Sequence, residues 1–329
     1  MRPWLLPAAL AVLLLALLAG SLAAGSVSIP VLSSLLDGFG HDPTVAGLIL
    51  TEIRLPRTLL AALVGASLGL SGAALQGLLR NPLADPGIVG ISSTSALGAV
   101  LALYFGLAGV GGYATPLAAM LGAALSVLLI LLLAGREASA LTLILAGLAV
   151  NAFANALVVL ALNLAPSPYA ALEIVFWLLG SLADRSFDHV ALSLPAMLVG
   201  WVLLFSARRS LDALTLGEDV ARTLGFDMAR ERLKVVLGTA ACVGAAVAVS
   251  GVIGFVGLVV PHLLRPLVGH EPGRLLPVSA LGGACLLLAA DIGVRLLPTG
   301  PELKLGVVTA LLGAPFFLYL ILATRRRLA

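Results

Sequence analysis

The sequence predicts an all-α, polytopic membrane protein of about ten transmembrane helices, folded as one domain over residues 1–329. Three observations predict it. First, 60% of the 329 residues are hydrophobic and only 11% are charged, with a mean hydropathy of +1.13. A soluble domain carries roughly 25% charged residues, so this chain cannot cover a water-facing surface. Second, uncharged apolar runs of about 20 residues recur along the chain, the length needed to cross a hydrocarbon core at about 1.5 Å per residue. Third, these runs are continuous and do not alternate at period two, which excludes a porin-type barrel. The net charge of +3 arises from Lys and Arg in short connections, where the positive-inside rule accounts for them without a nucleic-acid partner. Cys242 and Cys285 both lie inside apolar runs without a CxxC spacing, so they read as small buried hydrophobes, and no metal site follows.

In chain order, the first run covers residues 4–24 behind Arg2. It is longer than the hydrophobic core of a usual signal peptide, the rival reading, and is taken as a first span with a cytoplasmic N-terminus. Residues 25–53 read as a mixed loop with Pro30, Asp37, Asp42 and Glu52. Span two, 56–79, begins at RLPR (54–57) and ends on Arg80, Asn81 and Pro82. Gly65, Gly69 and Gly72 within it stand four and three apart, a spacing that lets a second helix approach closely in lipid. Span three is placed at 88–110 and span four at 113–134, the latter ended by Arg136 and Glu137. Span five follows at 140–164. Pro166 and Pro168 open a shorter segment, 169–182, read as a half-helix at the outer surface whose Phe176 and Trp177 suit an interfacial aromatic belt. Span six is 188–207. After the polar stretch 210–234 come span seven (235–252), a marginal span eight (254–268), span nine (275–294) and span ten (303–323), closed by Arg325, Arg326 and Arg327. With both termini inside, fourteen of the 19 Lys and Arg fall on the inner side. The five outside are Arg54, Arg57, Arg185, Arg295 and Lys304, and this bias favours the topology over its inverse.

Few patterns carry chemistry. The chain has no GxxxxGK[ST] phosphate loop, and no HExxH, GxSxG or clustered His pattern. Ion-coupled carriers bury acids at mid-membrane, whereas Asp291 and Glu302 fall near an outer end. A transporter driven by a separate motor subunit is therefore favoured over an ATP-independent carrier or channel. In the polar stretch, Thr215 and Glu218 have capping-box spacing, Asp219 suits the first helical turn, Arg222 lies four after Glu218, and Gly225 suits the helix end. These residues predict a cytoplasmic helix of two to three turns suited to docking, with a solvated connecting loop as the alternative. Arg54, Arg57 and Arg295 offer an outer basic surface for an acidic partner unless Glu52 and Asp291 neutralise them locally. Asn151 and Asn155 share one face of span five and either line a polar path or bond between helices. His262, beside Pro261, reads as a structural histidine.

Several blocks together carry a resemblance: RLPR (54–57), SGAALQGLLRNPLADP (71–86), LGEDVARTLG (216–225), GFVGLVVPHLLR (254–265), AADIGVR (289–295) and GVVTALLGAPFF (306–317). In order and over nearly the whole chain, they resemble the permease subunits of bacterial ABC importers for iron-siderophores, haem and vitamin B12. The resemblance implies a vitamin B12-permease-like fold in the bacterial inner membrane and a homodimer with its pathway on the two-fold axis. Two cytoplasmic ATP-binding subunits, which hold the ATP and Mg, and one periplasmic substrate-binding protein complete the implied assembly. This chain itself is then expected to bind no cofactor and to hold no catalytic residue. The resemblance places the ATPase-coupling helix at 216–224, with Leu216, Gly217, Glu218, Asp219, Ala221, Arg222 and Leu224 before Gly225. It matches Arg54, Arg57 and Arg295 to arginines that engage the binding protein. Asn81 and Leu83 fall in the inner gate loop, Ser139, Ala140 and Leu141 at a second gate position, and Asn151 and Asn155 along the path. The block FWLLGSLA (176–183) looks more like haem permeases than vitamin B12 permeases.

Overall fold

The computed structural model describes residues 4–328 except 26, 28, 41–43, 88, 111, 136–138 and 298–301. Arg2, Asp42, Arg136 and Glu137 lie outside the described residues. The helices are α1 (Leu5–Ala23), α2 (Val31–Gly38), α3 (Val45–Leu48), α4 (Leu55–Leu78) and α5 (Ile91–Tyr104). Next come α6 (Ala114–Ala134), α7 (Ala140–Asn163), α8 (Pro168–Leu178), α9 (Phe187–Ser206) and α10 (Arg208–Leu214). The chain then forms α11 (Glu218–Thr223), α12 (Met228–Ser250), α13 (Val256–Leu264), α14 (Pro272–Leu296) and α15 (Leu305–Leu328). Among the described residues, seven helical segments are long and apolar enough to cross a membrane, and α5, α8, the α13 region and α15 contribute shorter apolar helices. With α8 as the half-helix, the seven segments and the three other shorter helices are roughly consistent with the expected number of about ten.

The bundle is organised around α4. Its main partner is α14, and α12, α13 and α9 complete the ring around it. The small-residue spacing explains how. A Cβ on Gly65 or Gly69 would overlap the carbonyl oxygens of Gly283 and Ser279 on α14, and one on Gly72 would overlap that of Gly257 on α13. In lipid the attraction between helices comes from such close backbone approach, because apolar side chains gain nothing by leaving apolar solvent. Trp201 on α9 adds a polar tie, donating its indole N–H to Ser67 on α4 at 2.9 Å.

Three element boundaries differ from expectation. Residues 25–53 are not a plain loop: α2 and α3 occupy part of it, and a π-helical turn, Ile49–Arg54, leads without a break into α4. Span three shrinks to the 14 residues of α5, about 21 Å of helix. Left-handed Gly90 (φ +81°) starts it and Gly106 (φ +67°) follows its end, and only glycine holds such angles without strain. Span seven starts seven residues early, at Met228, where the Asp227 carboxylate accepts the N–H groups of Ala229 and Arg230. Hydropathy marks the part of α12 that lipid can surround, whereas the cap marks where the helix begins.

Candidate functional site

The polar segment between α9 and α12 folds as two short helices. Helix α10 is held by its polar groups: the Asp212 carboxylate accepts the Gly273 N–H at the start of α14 at 2.6 Å, and Ser210 Oγ donates to Glu231 of α12 at 2.8 Å. Lys234 closes on the other Glu231 oxygen at 2.7 Å. Helix α11 follows through Gly217, whose φ of +110° requires glycine, and it ends before Gly225 at φ +91°.

The capping box expected from Thr215 is not formed. Thr215 Oγ donates to the Asp212 carbonyl at 2.7 Å, Gly217 stands at the N-cap without a side-chain bond, and α11 is six residues instead of two to three turns. The left-handed turn at Gly217 carries Thr215 away from the helix start. Glu218 instead binds sideways, to Arg222 Nη2 at 2.7 Å on its own helix and to Arg232 Nη2 at 2.6 Å on α12. Partial burial pushes the Glu218 carboxyl up, but the Arg232 and Arg222 guanidinium groups outweigh it and hold the group below the ordinary carboxylate range. Ala221 is fully buried, while Leu216, Val220 and Leu224 are 66%, 42% and 60% exposed. These three stand four apart, so one apolar stripe of α11 and its N-terminal turn has no cover. Val220 escaped the sequence reading because a lone valine in a polar stretch gives no periodic signal.

At the same end, the loop after α4 is pinned from within. Asn81 Oδ1 accepts the Leu83 N–H at 2.9 Å and the Asn81 carbonyl accepts the Ala84 N–H at 3.1 Å, a tight turn behind left-handed Arg80. Buried Gln76 places its amide nitrogen 3.3–3.4 Å from the Ala84, Gly257 and Leu258 carbonyls, and its oxygen accepts from Arg265 Nη2. Gln76 and Arg265 thus join the loop to α13. Both sit inside the sequence blocks that carry the resemblance, but nothing in spacing marked them as partners 189 residues apart. Gly90, at the end of this loop, lies against α7, where a Cβ would come within 2.9 Å of the Gly147 carbonyl and 3.1 Å of the Asn151 nitrogen. Ser139 caps α7 by accepting the Thr142 N–H at 3.1 Å, Ala140 is the first helical residue and Leu141 is 65% exposed. Asn155 donates to Asn151 at 3.1 Å, a bond along one helix on an exposed face.

The opposite end holds the correction of most consequence. Arg54, Arg57 and Arg295 do not form an open basic surface: Arg54 and Arg57 are 5% and 8% exposed, and the Arg295 side chain 7%. Arg57 Nε and Nη2 reach Asp291 Oδ1 at 2.9 and 2.8 Å, and its terminal nitrogens also bind Glu302. Arg295 Nη2 lies 3.0 Å from the second Asp291 oxygen, and its Nη1 donates to the Ser21 and Ala24 carbonyls at 2.9 and 3.2 Å. Arg54 donates to the carbonyls of Leu22, Ala23 and Val27, with Gly25 leaving room for the guanidinium. Two arginines therefore satisfy the open carbonyls at the negative end of α1, and one carboxylate bridges Arg57 and Arg295. Local neutralisation, the alternative to an open surface, describes Arg57 and Arg295 through Asp291, while Glu52 is not among their partners. The other two cations expected on the outer side are Arg185 and Lys304, the latter 5.7 Å from the centre of the Phe176 ring.

Cys242 and Cys285 are buried free thiols. His262 contacts the edge of Phe316. No cluster of His, Cys, Asp and Glu able to hold a metal occurs among the described residues.

The chain is similar in sequence and in fold to known proteins. The sequence pattern of the FecCD transport family matches residues 13–323. The vitamin B12 import system permease BtuC of Vibrio cholerae is 42% identical over 271 residues, 82% of this chain and 81% of that protein. The hemin transport system permease HmuU of Yersinia pestis is 39% identical over 280 residues, 84% of each chain. A solved structure described as a metal-chelate type ABC transporter in an inward-facing conformation superposes with a TM-score of 0.86 at 36% identity. It covers 96% of this chain and 98% of its own.

Proposed function

This chain belongs to the FecCD transport family, the membrane-spanning permeases of ABC importers, and from that premise we propose how it works. It is a transport subunit and not an enzyme. The uncovered stripe Leu216, Val220 and Leu224 is the observation that carries the proposal. It lies at the polar end of the bundle, on a short helix locked to α12 by Glu218–Arg232 and, through α10, to α14 by Asp212. A cytoplasmic ATPase subunit covers the stripe, and the side-on ion pairs make α11 move with the spans instead of swinging free. Two copies of the chain enclose the path, with two ATPase subunits below and one periplasmic binding protein above. ATP and Mg belong to the ATPase, and both termini of this chain lie in the cytoplasm of a bacterium, whose inner membrane the bundle spans. Closure of the ATPases displaces α11, and Asp212 and the Gln76–Arg265 tie pass the displacement to α14 and the loop bearing Asn81 and Leu83. The second gate position, Ser139–Leu141, and the Asn151–Asn155 face border the path between the two copies.

The cargo is a metal chelate. Haem is the specific reading, on the FWLLGSLA block, with vitamin B12 and ferric siderophores as alternatives of the same class. A titration of the cognate binding protein with haem, cobalamin and ferric siderophores separates them, and failure to bind haem refutes the specific reading. The coupling role is tested by Leu224→Asp in the purified permease. Burying a leucine contributes about 1.5–3 kcal/mol, and replacing an apolar anchor at the centre of an interface by a charge costs on the order of 2 kcal/mol or more. Affinity for the ATPase should fall at least about tenfold, while the permease itself keeps its unfolding midpoint. Unchanged ATPase affinity and unchanged uptake would refute it.

A further inference from the structure

A cavity of about 620 Å³ opens where the first turn of α1, the start of α10 and the N-terminus of α14 meet. Leu6, Pro7, Leu267 and Pro277 give its lining an apolar part, and Arg208, Arg274 and Glu271 give it a charged part. Both arginines keep free donors. Arg274 commits its Nε to Glu271 at 2.6 Å, which leaves the two terminal nitrogens. Arg208 lies with its stem against Gly273, where a Cβ would come within 2.7 Å of its Cγ, and its guanidinium has no hydrogen-bonded or ionic partner among the described residues. The other acid nearby, Asp212, keeps its charge but turns one oxygen to the Gly273 N–H and does not line the cavity. The positive end of the 25-residue α14 points to the same place.

We propose that this cavity binds the phosphodiester headgroup of an anionic phospholipid from the leaflet at the basic end of the bundle. Two spanning helices, α1 and α14, begin at the site, so it stands at the membrane–water boundary, where arginine stems lie along apolar surface and their heads reach the headgroups. A planar guanidinium matches phosphate oxygens two at a time. The apolar lining residues distinguish the occupant: a soluble anion would leave them wet, whereas a phospholipid covers the apolar and the charged residues together. Charge selects the headgroup: among the lining side chains two arginines face one carboxylate, Glu271, which disfavours a choline or ethanolamine ammonium and accepts a lipid whose only charge is the phosphate.

The test uses the purified full-length chain reconstituted in vesicles of phosphatidylcholine with or without phosphatidylglycerol. Native mass spectrometry after extraction reads the retained lipid. The wild-type chain should keep phosphatidylglycerol in preference to phosphatidylcholine. The double variant Arg208→Gln, Arg274→Gln should lose retention by roughly tenfold, each basic side chain near a membrane surface being worth about a fivefold change, with Arg274 already partly engaged by Glu271. Arg209→Gln, an exposed neighbour outside the cavity, should change nothing. Glu271→Gln frees Arg274 and should raise retention severalfold, which keeps the test decisive if the double variant does not fold. Equal retention in the double variant, loss in Arg209→Gln, no gain in Glu271→Gln, or displacement of the lipid by inorganic phosphate would each overturn the proposal.

Discussion

Replacing Asp291 with Ala should unfold the end of the bundle where α1 finishes and α4 begins before it affects any partner. Asp291 is fully buried and accepts three hydrogen bonds from Arg57, while its other oxygen pairs with Arg295. Its removal strands positive charge on two arginine side chains that are only 10% and 7% exposed. Breaking a buried ion pair by deleting one partner costs about 3–5 kcal/mol. Here both survivors keep something: Arg57 retains Glu302, and Arg295 retains the Ser21 and Ala24 carbonyls. The lower figure, about 3 kcal/mol, is therefore expected. Asp291→Asn keeps the shape and one acceptor but loses the charge, and should cost about half as much. Equilibrium unfolding of the detergent-solubilised protein in increasing SDS, followed by tryptophan fluorescence, reads both values. Crosslinking between cysteines placed on α1 and α14 shows whether the loss starts at this end. A cost under about 1 kcal/mol for Asp291→Ala, within the range of an exposed pair, would refute the reasoning and return these arginines to the surface.

Three further outcomes are expected. Gly72→Ala forces a methyl group into the Gly257 carbonyl and should destabilise by about 1–3 kcal/mol or more. Gly293→Ala, which meets nothing within 4 Å, should be neutral or better in the same assay, and parity between the two would contradict the packing account. The depressed Glu218 carboxyl stabilises the α11 dock above its unfolded value of about 4.3, and this is lost as pH falls through its folded value. Amide exchange over 218–223 should thus stay slow from pH 7 to 5 and quicken selectively only below about pH 4.3, after correction for intrinsic rates; acceleration near pH 6 would point to another group. Gln76→Leu leaves Arg265 and the carbonyls at Ala84 and Gly257 without their shared partner, at about 1–3 kcal/mol per stranded group. Faster exchange in 79–87 with α7 unaffected is the expected result, and an unchanged loop would remove Gln76 from the proposed coupling path.

The close-packing role of Gly65, Gly69 and Gly72 was readable from spacing alone, because helical periodicity fixes which residues share a face. Pro166 and Pro168 likewise set the half-helix at 168–178 apart from the spans. Burial was not readable in this way. The motif RLPR looks identical whether its arginines meet water or Asp291, and only the approach of α14 and the end of α1 decides between them. Likewise Thr215 and Glu218 have the right spacing for a cap, but the left-handed turn at Gly217 and the distant Arg232 claim Glu218 instead.

By itself, then, the chain's order of apolar runs, charges and small residues determined the solvent it lives in, that it crosses the membrane many times, and the family that its blocks resemble. These are properties of single segments against lipid and water, and each segment carries its own transfer energy. Partner choice was decided only in the tertiary structure. A guanidinium takes whichever carboxylate or open carbonyl the packed helices bring within about 3 Å, and that distance is set by residues hundreds of positions apart. Electrostatic energy at such range depends on position in three dimensions, which spacing along one chain does not encode.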